Sequence, residues 1–176
     1  MESKAVDKAL IVNITDLEPS VFWRCPKLLY ILRTSPCAGN LLLSTFDNVL
    51  RSGLLKILNV DLNDSQWTQA TLPVHMGGPE VRSACKLASS AFLASAAATL
   101  TLQEAILPKP LRHTDDLSVS YALSAWKTQT LNAEHSDATR HVQRAWDNTF
   151  TDLLSACTIP VDKARLKAVT APRAGD

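Results

Sequence analysis

Apolar residues recur along most of this chain at spacings of three and four and nowhere alternate convincingly, so the pattern predicts helices and no sheet. Thr15-Asp16-Leu17-Glu18 reads as a capping box, with Pro19 tolerated in the first turn. Val21, Cys25, Leu28 and Leu32 then follow at helical spacing, flanked by Phe22 and Leu29. Pro26 removes one internal hydrogen bond and is expected to kink or divide this helix, which Ser35-Pro36-Cys37-Ala38-Gly39 ends. A second helix is expected over 40–58. Its apolar stripe would be Leu42, Phe46, Val49, Leu50, Gly53 and Ile57, with Asp47 and Arg51 one turn apart and able to pair weakly.

Residues 59–63 are polar and turn-like, and Asp64-Ser65-Gln66-Trp67 opens a short helix. The stretch from Leu72-Pro73 through Gly77-Gly78 to Pro79-Glu80 breaks the helical pattern and reads as a hinge. A third helix follows over 80–100, where Ala84, Ala88, Ala91, Ser95 and Ala98 form a small-residue surface suited to close packing. Pro108-Lys109-Pro110 is the expected boundary, dividing the chain into regions 1–108 and 109–176. Beyond it Thr114 caps a helix reaching residue 131, and 132–136 is a loop. A further helix spans 137–157, with Val142, Trp146, Phe150, Leu153 and Cys157 on its apolar face, and Pro160 opens a last one over 161–169. The expected fold is an all-α, irregular helical bundle, followed by a second helical subdomain.

Composition narrows the function more than the fold. A chain of 176 residues with 46% apolar content can bury a substantial core, and a net charge of +1 does not favour nucleic-acid or membrane-surface binding by bulk charge. Cys25, Cys37, Cys85 and Cys157 are widely spaced and lack metal-ligand spacing, so they read as buried thiols in a reducing compartment. The most apolar run, 87–102, is broken by serines and threonines and is shorter than the roughly 20 residues that span a bilayer. With no secretory signal pattern at the N-terminus, an intracellular protein, cytoplasmic or nuclear and without membrane contact, is expected.

No catalytic constellation stands out. His113-Thr114-Asp115-Asp116 has two adjacent carboxylates, but it follows a Pro-x-Pro break and precedes a helical pattern, which suits a helix start better than a metal-binding strand turn. His75, His113, His135 and His141 are scattered, without zincin spacing, and read as surface or loop residues. Cys37 has no neighbouring base to activate it. Basic residues carry the more useful signal: Arg24, Lys27 and Arg33 lie beside Trp23 and Tyr30, Arg51 and Lys56 on the second helix, and Arg82 and Lys86 after the turn.

The run Cys25-Pro26-Lys27-Leu28-Leu29-Tyr30-Ile31-Leu32-Arg33-Thr34-Ser35-Pro36-Cys37 resembles a segment of the reverse transcriptases of non-LTR retrotransposons. Phe46-Asp47-Asn48-Val49-Leu50-Arg51, the Leu72-Pro73 and Gly77-Gly78 turn, Ser90 to Ala97 and the tail from Asp162 extend that resemblance in order over nearly the whole chain. It implies a thumb-like helical unit that grips a template–primer duplex, followed by linker helices. The palm and its aspartate pair are not in this sequence. Lys27, Tyr30 and Arg33 match positions in the thumb's first helix, Arg82 matches the basic residue after the Gly-Gly turn, and Arg51 completes the expected nucleic-acid-binding set. Where the family shows Leu-Gly after Gly-Gly, this chain has Pro79-Glu80. The implied function is that of a catalytically inactive fragment contacting an RNA–DNA or DNA duplex backbone, with no cofactor, metal or small-molecule substrate. The alternative is a helical protein-interaction module without nucleic-acid binding.

Overall fold

The computed structural model describes residues 21–76, 78–108, 117–135 and 139–157, and within them it is all-helical. Six α-helices follow in order among these residues: α1 Val21–Thr34, α2 Leu41–Leu58, α3 Asp64–Ala70, α4 Ala84–Ile106, α5 Leu117–Gln129 and α6 Gln143–Cys157. A single 3₁₀ turn, Val74–Met76, lies between α3 and α4. The expected helix start at Thr15, the His113–Asp116 motif with its Thr114 cap, and the last helix over 161–169 fall outside the described residues.

Helix α4 is the hub, packed by α1, α2, α5 and α6, so elements from both sides of the Pro108 break meet on it. The small residues explain how. Ala84, Ala88 and Ala91 are almost fully buried, and with no side chain beyond Cβ they let Leu28, Leu32, Phe46 and Leu50 of the first two helices come close. One turn later Phe92, Leu93 and Ala94 supply bulk against Ala122, Trp126 and Trp146. A third cluster, Leu54, Ala70 and Val81, fixes the connection between α3 and α4.

Several boundaries differ from the sequence expectation. Helix α1 runs undivided through Pro26, which in its second turn removes only one hydrogen bond. Helix α4 begins at Ala84 rather than 80, because Ser83 is its N-cap, accepting from the Lys86 amide, and because Glu80 has a left-handed backbone that no α-helix contains. It continues to Ile106, 23 residues in all, since nothing breaks it before Pro108. That length and composition suffice for a membrane crossing, contrary to the sequence reading of 87–102. Its N-terminal half, however, is packed inside the protein, while Leu100, Leu102 and Ile106 near its end are exposed. Ala98, expected on the close-packing surface, is exposed as well. Helix α6 begins at Gln143, six residues later than expected, and leaves Val142 outside it and exposed.

The apolar stripe of α2 is rotated from its expected register. Leu43, Phe46, Leu50 and Leu54 are buried, whereas Ile57 is 67% exposed. Asn40 caps this helix and Asn59 ends it in the left-handed conformation that asparagine tolerates. Asn63 and Gln66 close a reciprocal capping box on α3.

Candidate functional site

The connection from α3 to α4 carries Arg82 and sets the geometry around it. Val81 donates its amide to the Ala70 carbonyl and Glu80 to the Leu72 carbonyl, each at 3.0 Å, which closes the loop at its base. Inside the loop, the Pro73 carbonyl accepts from the Met76 and Gly78 amides. Gly78 is buried, and a Cβ there would run into the carbonyls of Leu72 and Gln69, so the loop closes only around a glycine. Glu80 sits at φ 61°, a region in which side chains with a Cβ are strained.

The pairing expected between Asp47 and Arg51 does not form. Asp47 reaches instead across to the start of α4. Its carboxylate accepts from Ser83 Oγ at 2.6 Å, the Ala84 amide at 2.7 Å and the Cys85 amide at 3.3 Å. These are the amides a helix N-terminus leaves unpaired, and a carboxylate there also faces the favourable end of the helix dipole. Arg51 turns the other way, donating to Asp64 Oδ1 at 2.8 Å and to the Leu62 carbonyl at 2.6 Å.

Arg82 is held between two carboxylates, 2.7 Å from Glu80 Oε1 and 3.2 Å from Asp147 Oδ2. Asp147, on α6, also accepts from Ser90 Oγ of α4 at 2.5 Å and from the Gln143 side chain. Gln143 in turn accepts from Arg33 of α1 at 3.1 Å. A continuous polar relay thus joins α1, α6, the loop and α4. Burial raises the Asp147 carboxyl above its ordinary value of 3.8, against the lowering effect of Ser90 and Arg82.

The five residues expected to contact nucleic acid therefore fall into two groups. Lys27 and Tyr30 point outward from α1, Tyr30 with 69% exposure, and Arg33 is exposed beside them while donating to Gln143. Arg51 and Arg82 are engaged in pairs within the chain. The structure brings Arg33 and Arg82 to one groove, which Gln143 also lines, and leaves Arg51 apart from it. Sequence reading missed Arg144 and Asp147. The spacing of Gln143, Asp147 and Phe150 along one helix face is the signal that was present.

Cys37 and Cys85 are free thiols, and their surroundings disfavour the reactive thiolate. Burial pushes Cys37 up to about 11, and burial together with the nearby Asp47 charge pushes Cys85 up to about 12. His135 lies in the loop where expected, stacked on Trp146 with ring centres 3.8 Å apart, and Trp146 in turn meets Trp126 edge-on at 4.9 Å. Among the described residues no group of His, Cys, Asp and Glu could hold a metal ion. Compared with known proteins, the chain matches no family model, no curated protein and no solved structure.

Proposed function

We propose that this chain is a non-catalytic, thumb-like helical unit derived from a retrotransposon reverse transcriptase, and that it contacts a nucleic-acid duplex through its backbone. The observation that carries this reading is the outward strip on α1. Leu28 and Leu32 turn into the core, which leaves Lys27, Tyr30 and Arg33 along the exposed side. Six residues of helix advance about 9 Å, so the two cations meet well-separated phosphates with an aromatic ring between them. Such contacts hold a duplex without reading its bases. Glu80 adds support for the ancestry. The reverse transcriptases that this chain resembles carry glycine at that position, and the left-handed backbone there is the one glycine adopts without strain.

The test is fluorescence anisotropy of a labelled RNA–DNA hybrid across a salt series. Wild type should bind with an affinity that falls steeply as salt rises. The Lys27→Ala/Arg33→Ala double variant should reduce the slope of log K against log salt by about 2, one for each phosphate that is no longer neutralised. Absence of saturable binding at low salt overturns the reading. A helical protein-interaction module is the second reading, favoured by the exposed Leu100, Leu102 and Ile106 at the end of α4, and it is the one that survives such a result.

A further inference from the structure

Between the closed loop and α6 lies a groove of about 600 Å³, within the usual range for small-molecule sites, that the α1 strip does not use. The start of α4 forms one side of it. Pro73, Val74, Leu87 and Phe150 give it apolar surface, and five charged side chains line it. Where those charges are committed matters more than their number. Arg82 is already matched by Glu80 and Asp147. Lys86 is half-buried, and its ammonium donates to a single neutral acceptor, Thr71 Oγ1 at 3.1 Å. Arg144 is exposed and has no hydrogen-bond or ion-pair partner among the described residues.

Two cations thus face an apolar-walled groove with most of their donors uncommitted. Burial of the Lys86 ammonium lowers its pKa and outweighs the favourable charge of nearby Asp47, so the ammonium remains poorly solvated where it sits. An anion entering the groove would relieve that cost.

We propose that this groove binds a small organic phosphate, with the phosphate group against Lys86 and Arg144 and an apolar or aromatic body against Val74 and Phe150. Phosphate fits better than carboxylate because its terminal oxygens and its larger charge match an ammonium and a guanidinium fork together. The same chemistry would come from a free monophosphate or from a nucleic-acid backbone, and the free monophosphate is the ligand assigned to this groove. Its binding is independent of the function proposed for α1.

The test is a titration of the isotope-labelled full chain, followed by amide NMR shifts, with phenyl phosphate, inorganic phosphate, benzoate and a short RNA–DNA hybrid in separate arms. Phenyl phosphate should give saturable shifts at Thr71, Lys86, Arg144 and Phe150, and bind more tightly than inorganic phosphate or benzoate. Arg144→Gln, at an exposed and unpartnered position, should keep the dispersed spectrum and weaken binding by about tenfold or more. Lys27→Ala should leave it unchanged. No saturable shift, or equal affinity in Arg144→Gln, overturns the proposal. Shifts at these amides with the hybrid alone would assign the groove to backbone phosphate and overturn it equally.

Discussion

Glu80 has a backbone conformation that a residue with a Cβ adopts only at a cost, about 1–2 kcal/mol relative to the right-handed region. Part of that cost is offset by its ion pair with Arg82, which is half-exposed and worth at most about 1 kcal/mol. Glu80→Gly should therefore stabilise the fold by about 0.5–1 kcal/mol despite removing the pair, seen as a higher urea midpoint with an unchanged slope. A lower midpoint would mean that the Glu80–Arg82 contact outweighs the strain. In the sequence, Pro79-Glu80 stands out only by comparison with the Leu-Gly of the reverse transcriptases that this stretch resembles. The sequence did not show where Asp47 and Arg51 go. Four residues apart, they look like partners on paper, yet a pair exposed on a helix surface contributes only about 0.2–0.5 kcal/mol. Two orphan amides and the Ser83 hydroxyl at the start of α4, for Asp47, and the Leu62 carbonyl, for Arg51, offer each of them more, and those acceptors and donors are brought near only by the fold.

At the scale of elements, helices announced themselves and their facing did not. The run 40–58 was legible because Asn40 is an N-cap type and apolar residues recur along it. Its facing was not, since Leu41, Leu42, Leu43, Leu54, Leu55, Ile57 and Leu58 are spread around nearly the whole helix at both ends. With apolar residues on every side, the tertiary partners decide. Leu54 is buried against Ala70 and Val81, while Ile57, in the stripe expected from spacing, faces solvent. Leu54→Ala should consequently cost about 2–4 kcal/mol in urea unfolding. Ile57→Ala should stay within about 0.5 kcal/mol of wild type. The opposite ranking would restore the stripe read from spacing alone. Helix α4 teaches the complementary lesson about ends. Its start depends on a cap residue followed by a backbone turned away from helix at Glu80, and its end simply waits for the next proline.

For the molecule as a whole, the all-α architecture was readable from periodicity, but the arrangement around α4 was not, because alanines signal closeness without naming the neighbour. The polar relay from Arg33 through Gln143 and Asp147 to Ser90 and Arg82 belongs to this scale, since it ties three helices and the loop together across sequence gaps of 57, 65 and 110 residues. Asp147 is its central carboxylate, with 19% of its side chain exposed, and burial outweighs the hydrogen bonds that favour its charged form. The folded protein therefore holds a proton on Asp147 more tightly than the unfolded chain does. Between the ordinary value of 3.8 and the raised one, the native state binds more protons, so stability falls as pH rises through that window and is independent of Asp147 titration above it. Asp147→Asn removes this titration while leaving every other carboxyl in place. Urea midpoints measured for both proteins across a pH series should show wild type losing stability relative to the variant as pH rises through the window, with the two curves parallel above it. Curves parallel throughout would place Asp147 at its unfolded value and remove the carboxylate from the centre of the relay.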